Sequence, residues 1–596
     1  MARLKYNFTW KKYHRWFGLV LSVFMLVFCV SGIILNHREA FSGCEVSRKW
    51  LPASYHIKNF NNGVVKGTVV KNSGSLAISE GFSDSILVYG CAGVFLTDYQ
   101  LSTWQDFNAG LPKSIDERNV RHLVQARDGS LWCAALRDVY RYDENAQQWK
   151  KVELPGNEER IMDVALGKNS IQVVALTRSR IFEITPIASN IDVSESPSSL
   201  ASSAKGGVSE KSPDIFEKKS GGFSEKVGTF FGKYRVEAKI IPAPKNYEPK
   251  TTLFKLVWHL HSGEFFGLPG KLVVDAIALV LIVLSITGII RFILPYGIRR
   301  AKKVKSEERR VKNSLAAKNR MKRLGKLFAW NMKWHNKIGY VTIVLTLWIA
   351  ITGMCLRPPL MVPLVLSKLP QAVGEDGNVW QDKLRAIRWD AVQGDWLVST
   401  SEGFLRVDED FSQAPKMLPD DECPKLSPMG VTVWESDGKG GWIVGSFRGI
   451  YRWNPVNHKS QILDYFTNEP CVETSMIPIS DNLICGYSED FLGGKPLVFD
   501  FAKGVEDAKG QAVVLCNDEP KTSRNEESMS DLICETAPMS LWNVALELHV
   551  GRCYSPFLGP LSDLFVFLSG LLITLVLLSG YIISHRRRKK AQARLK

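Results

Sequence analysis

The chain has 596 residues, 45% of them apolar, and a formal charge of +16 from 76 Lys and Arg against 60 Asp and Glu. That length accommodates several domains with buried cores, and a near-neutral mean hydropathy hides a few very apolar runs set in ordinary soluble sequence. The surplus positive charge lies in runs flanking those apolar segments, which reads as contact with anionic lipid heads and argues against nucleic acid as a partner.

A basic start (Arg3, Lys5, Lys11, Lys12, Arg15) leads into an apolar run from Trp16 to Leu35. Roughly 20 residues of helix cross a hydrocarbon core. The run is too long for a secretory signal, and Asn36-His37-Arg38 is a poor cleavage site, so a retained span is expected. Short alternating segments follow, among them Val120 to Val124, Asp128-Gly129-Ser130-Leu131-Trp132 and Asp138 to Asp143. They read as strands broken by Gly and Asp turns. A tract rich in Ser, Gly, Lys and Glu (188–226) reads as disordered. A second apolar run spans Leu272 to Phe292, a basic segment Arg299 to Lys333, and a third apolar run Ile338 to Met354. Strand-like segments return at Val431 to Trp434, Gly440 to Ile443 and Gly449 to Trp453. A fourth apolar run, Leu561 to Ile583, and a basic tail from Arg586 end the chain.

Basic flanks stay in the cytoplasm, so both termini are expected there. The expected organisation is a cytoplasmic start (1–15), a first span (16–37) and a first periplasmic insertion (38–260). Next come an outer His motif with the second span (261–294), a basic cytoplasmic loop (295–335) and a third span (336–356). A second periplasmic insertion (357–548), a second outer His motif with the fourth span (549–584) and a basic tail (585–596) complete it. The fold class is therefore a four-helix transmembrane bundle built from two tandem helix–domain–helix repeats, with all-β, propeller-like insertions. About three blades are expected in each insertion, and a typical propeller has four to eight. The two sets together close one split propeller, or stand as two separate open sheets.

The repeat is explicit. The first helix opens His14-Arg15-Trp16-Phe17-Gly18 and closes Ser31-Gly32; the third opens His335-Asn336-Lys337-Ile338-Gly339 and closes Thr352-Gly353. The second and fourth are each preceded by Leu-His-x-Gly (Leu260 to Gly263, Leu548 to Gly551) and close on Thr287-Gly288 and Ser579-Gly580. Duplicated membrane halves pack about a pseudo-two-fold axis. That axis sets His14 against His335 at one edge and His261 against His549 at the other, each pair able to hold one iron between two imidazoles. Gly18 and Gly32 fall on the same helix face as His14, where small residues let a macrocycle approach the backbone. The competing reading is interfacial His bonded to lipid heads, with Gly serving helix contact. His37, about 140° around the helix from His14, and His585 lack counterparts. His259 competes with His261, and His56, His122 and His458 read as surface or packing residues.

Nine of the eleven cysteines fall on the outer side, with Cys29 and Cys355 in or beside helices, and their pairing is not readable. No Cys-x-x-Cys-His or paired zinc spacing occurs, which excludes c-type haem attachment and a cysteine zinc site. No Gly-x-Gly-x-x-Gly follows a strand, so no flavin or nicotinamide site is expected, and no hydrolase constellation stands out.

At His14-Arg15-Trp16-Phe17-Gly18, and at Leu260-His261-Ser262-Gly263 with Gly267-Leu268-Pro269-Gly270-Lys271, the chain resembles the PepSY-associated transmembrane family of bacterial inner-membrane proteins. The second half matches more loosely, with Phe557-Leu558-Gly559-Pro560 in altered order. The resemblance implies two haem b groups, with His14, His335, His261 and His549 binding the haem iron. It also implies reduction of a periplasmic ferric chelate or siderophore, with electrons from a quinol or a separate cytoplasmic reductase. The insertions depart from the family by resembling the propeller repeats of periplasmic sensor proteins. The alternative function is a haem-free membrane sensor or assembly protein whose propeller binds a ligand or partner; a transporter is a third reading.

Overall fold

The structure, a computed structural model, describes residues 2–71, 85–101, 103–186, 229–231, 234–308, 315–371, 377–427, 429–456, 462–471, 482–515 and 537–594. The tract 188–226, expected to be disordered, and His458 lie outside the described residues. Two compact units emerge. One gathers Met1–Ala53, Glu248–Ala372 and Pro538–Lys596; the other gathers Ser54–Tyr247 and Val373–Ala537.

The first unit is helical: α1 (Ala2–Asn36), α2 (Leu253–Ser262), α3 (Gly267–Glu308), α4 (Leu315–Val341), α5 (Ile343–Cys355), α6 (Leu541–Val550) and α7 (Ser562–Gln592). Among the described residues three helices are long and apolar enough to cross a membrane, at Lys11–Asn36, Glu264–Gly297 and Arg552–Gln592. A fourth exists if α4 and α5, bent by 68° at their junction, count as one span. The third span expected as a straight helix is thus broken. At the break the Thr342 hydroxyl donates to the Ile338 carbonyl at 2.9 Å and the Thr346 hydroxyl to the Thr342 carbonyl at 3.1 Å. Threonine back-bonding of this kind loosens the amide ladder and bends helices. α1 packs on α3 and α7, and the α4–α5 pair packs on both α3 and α7.

The Leu-His-x-Gly motifs turn out to be helix ends. Thr252 caps α2 through the Lys255 amide and Ser540 caps α6 through the Asn543 amide. Gly263 and Gly551 close the two helices at φ 79° and 87°, a left-handed conformation that glycine adopts without a Cβ penalty. Each motif thereby places its histidine, His261 or His549, in the last turn of a short helix separate from the span that follows. Two-stranded ribbons tie the repeats together: Glu45–Val46 pairs with Met539–Ser540, and Lys250–Thr252 with Lys368–Pro370.

Among its described residues the second unit holds six antiparallel sheets, three from each insertion. In chain order their first strands are Gly67–Lys71 (sheet A), His122–Gln125 (B), Ile161–Leu166 (C), Leu384–Asp390 (D), Val433–Ser436 (E) and Ile484–Ser488 (F). Sheets A, B, D and E have four strands, C five and F three. Strand alternation supplies two buried faces per sheet. In the strand Ser85–Gly90, Ile86 and Val88 pack with Cys485, Leu497 and Phe499 of sheet F, while Leu87 and Tyr89 pack with Leu123 and Cys133 of sheet B. Trp132 and Phe182 lie in a core shared by B and C, and Leu176, Ile387 and Trp396 in one shared by C and D. Phe404, Trp434 and Trp453 join D to E, and Val433, Ile443 and Tyr487 join E to F. The Asp128 carboxylate receives the Ser130 amide across Gly129 (φ 84°), a turn that presents Trp132 to its core.

Candidate functional site

Two histidine pairs form within the helical unit. The His14 and His335 ring centroids are 6.4 Å apart at the end carrying the chain termini, and those of His261 and His549 are 6.1 Å apart at the end from which the insertions leave. A first-row metal ion sits about 2.0–2.1 Å from an imidazole nitrogen, so two imidazoles on opposite sides of one ion have ring centres roughly 6 Å apart.

Each ring is held by the Ser/Thr-Gly pair closing a neighbouring helix. His14 Nδ1 lies 2.9 Å from Ser579 Oγ and 3.1 Å from the Val576 carbonyl; His549 Nδ1 lies 2.9 Å from Ser31 Oγ and 3.1 Å from the Phe28 carbonyl. His335 Nδ1 is 2.8 Å from Thr287 Oγ1, and His261 Nδ1 is 3.0 Å from Thr352 Oγ1. All four hydroxyls donate to carbonyls of their own helices. Their protons are committed there, so each imidazole carries its proton on Nδ1 and donates it. Nε2 is left with a bare lone pair, the form in which histidine binds a metal.

The adjoining glycines make room for the rings. A Cβ on Gly353 would lie 2.8 Å from His261 Cε1, and one on Gly580 2.9 Å from His14 Cε1. On Gly32 it would lie 3.4 Å from His549 Cε1, and on Gly288 3.7 Å from His335 Cε1. Gly32 was expected to serve the face of His14, and it receives His549 instead. Neighbouring helices run antiparallel, so the end of one meets the start of the next: α1 gives His14 to the hydroxyl–glycine pair of α7 and receives His549 from its leading helix α6. The broken span (α4–α5) does the same with α3 and its leading helix α2. Asn331, one turn before His335, adds a bond of 2.9 Å to the Thr287 carbonyl. Sequence reasoning marked the Ser/Thr-Gly pairs as repeat landmarks and missed their role as histidine partners; their fixed register was the available signal.

A cavity of about 520 Å³ adjoins the first pair, within the usual span for small-molecule sites. His14, His335, Gly18, Gly288, Gly339 and Gly580 line it, among Leu, Val and Ile side chains. No group of three or more His, Cys, Asp or Glu able to hold a metal occurs among the described residues. Two imidazoles alone leave an ion under-coordinated unless a bound group supplies the remaining ligands.

The other histidines go elsewhere. His37 Nε2 pairs with Asp275 at 2.6 Å, giving a carboxylate inside an apolar helix its partner. His585 stacks on Tyr340 and Tyr581, and His259 lies against Trp258 while His261 faces His549. In the sheet unit His122 is in a polar network, 3.0 Å from Asp163, which also takes Arg388 at 2.6 Å. Burial alone would raise the Asp163 carboxyl, and Arg388 and His122 more than reverse that, holding it below the usual range. Cys29, Cys44, Cys91, Cys133, Cys355, Cys423, Cys485 and Cys553 carry free thiols.

The model of the PepSY-associated TM region matches residues 5–294 and again 301–588. The chain belongs to the PepSY-associated TM family. The double match follows the two repeats, each carrying one histidine from either pair. No curated protein matches the chain. Among solved structures, the extracellular domains of a hybrid two-component system and of a one-component system from B. thetaiotaomicron align at 10% identity and a TM-score of 0.30. Each alignment covers 74% of this chain and 32% of the other, so the chain spans about a third of the length of those structures.

Proposed function

We propose that this PepSY-associated membrane protein is a di-haem b electron-transfer protein that reduces a periplasmic ferric chelate. The observation that carries the reading is the pair of imidazole couples at the spacing one metal ion requires. The donor set fits a tetrapyrrole: the Nε2 lone pairs of His14 and His335, and of His261 and His549, would hold the iron, and glycines leave room beside the rings. A haem held there would supply one-electron chemistry. The chain's own contribution is orientation. Ser31, Thr287, Thr352 and Ser579 fix the tautomer and set the ring planes.

The two couples stand at opposite ends of α1. His14 to Ser31, the partner of His549, is 17 residues, roughly 25 Å of helix rise. That separation covers most of a hydrocarbon core about 30 Å thick. The basic flanks favour a cytoplasmic location for the terminus-bearing end, with His14 and His335, and in this reading a membrane quinol or a separate reductase is the donor. The shared cores linking sheets A to F and F back to A support one six-bladed propeller split between the insertions, a periplasmic frame for the acceptor.

Purified protein is expected to show a b-type absorption band that sharpens on reduction, with two haems per chain. Replacing His14 or His335 with Ala removes one, and replacing His261 or His549 removes the other. Unchanged haem content in all four variants would sink the proposal. A chain purified without haem, taking none up on reconstitution, would favour the sensor reading.

A further inference from the structure

Cations gather at the cavity beside His14 and His335. Lys11, Lys12, Arg15 and Arg291 all line it. None of the four pairs with a carboxylate among the described residues, and the charges that act on Arg291 are those of Arg587 and Arg15, both positive. The opposite end of the helical unit is different: Arg357 meets Asp563, Arg552 meets Glu547 and Lys271 meets Glu264. Arg291 is partly buried beside the exposed Lys11, Lys12 and Arg15, and a part-buried charge held among like charges is costly unless an anion completes the site.

The repeat register shows that this charge is one-sided. Aligning Gly288 with Gly580 sets Arg291 against Ile583, and aligning His14 with His335 sets Arg15 against Asn336. All four residues line the cavity. On the other side the phenols Tyr340 and Tyr581 stand where the first repeat has Leu19 and Ile289. Both arginines therefore come from the first repeat, and the two repeats differ in charge at this cavity.

We propose that Arg291, with Arg15 beside it, binds the carboxylate groups of the tetrapyrrole held between His14 and His335. Resting on the di-haem reading, this makes the cavity selective for a dianionic macrocycle, its acidic edge facing the chain termini. Arginine suits the task because its planar fork donates two parallel bonds to a carboxylate and stays charged when half-buried.

The test uses the full chain carrying His261→Ala, so that only this cavity loads, titrated with protohaem and with protohaem dimethyl ester. The free acid is expected to bind about ten- to a hundredfold more tightly than the ester. Arg15→Ala/Arg291→Ala should erase that preference and lower the midpoint potential of the site, while Arg291→Lys keeps most of it. An ester that binds as tightly as the free acid overturns the clamp and leaves the di-haem reading standing. That comparison needs no arginine variant, so misfolding cannot mask it. Uptake of neither compound, with no imidazole-ligated spectrum, removes the di-haem reading and the clamp with it.

Discussion

Gly353 and Gly580 approach an imidazole more closely than a real Cβ allows, whereas Gly288 leaves ordinary van der Waals room. Gly353→Ala and Gly580→Ala should therefore push His261 and His14 off their hydroxyl partners, while Gly288→Ala leaves His335 in place. Thermal melting of the purified chain checks this, with Gly353→Ala and Gly580→Ala melting several degrees lower and Gly288→Ala near the parent. Similar melting for all three would show that the rings yield easily. In the sheet unit, burial and then the nearby Arg121 guanidinium lower the Lys66 pKa from 10.5 to about 8. Its ammonium donates to Asn119 Oδ1 and, at 2.9 Å, to the Val120 carbonyl. Between pH 8 and 10.5 the unfolded chain keeps a proton that the folded chain has shed, so this group makes stability rise with pH across that window. The gain is on the order of 3 kcal/mol. Denaturant midpoints of the parent and Lys66→Met, compared at pH 7.5 and 10, should show the rise only in the parent; parallel pH profiles would contradict it.

Among elements, the sheets depend on their shared cores more than on their own strands. Trp434 is 1% exposed and packs between sheets D and E, with Phe404 edge-on at 5.4 Å. From sheet D, Arg388 donates to the Trp434 carbonyl at 2.9 Å. Trp434→Ala should cost about 3–5 kcal/mol and loosen both sheets together, read as a loss of amide-exchange protection in D and E alike. Protection lost in E alone would mean that the two sheets are stable independently. The helical elements show a different dependence. The apolar runs announced α1, α3 and α7, because length and hydropathy alone qualify a span. The break between α4 and α5 was not announced, because Thr342 and Thr346 look like ordinary apolar-tolerant helix residues until their hydroxyls choose carbonyls of the same helix.

For the molecule as a whole, the repeat carried most of what could be read. Equal spacing from His to Gly in the first and third helices, and Leu-His-x-Gly before the second and fourth, identified four histidines and two halves before any packing was known. Spacing along one helix reports which residues share a face; it does not report which helix comes to lie there. Gly32 fell in register with His14, and the packing of α6 against α1 handed it to His549. The hydroxyls that fix the imidazole tautomer, the pairing of His37 with Asp275, and the four cations gathered at one cavity lie between residues tens to hundreds of positions apart. By itself the sequence determined the apolar helices, the duplicated unit and the family, since these rest on local composition and period. The tertiary structure alone decided which ring meets which hydroxyl and where charge gathers, because those are properties of neighbouring helices and not of any one of them.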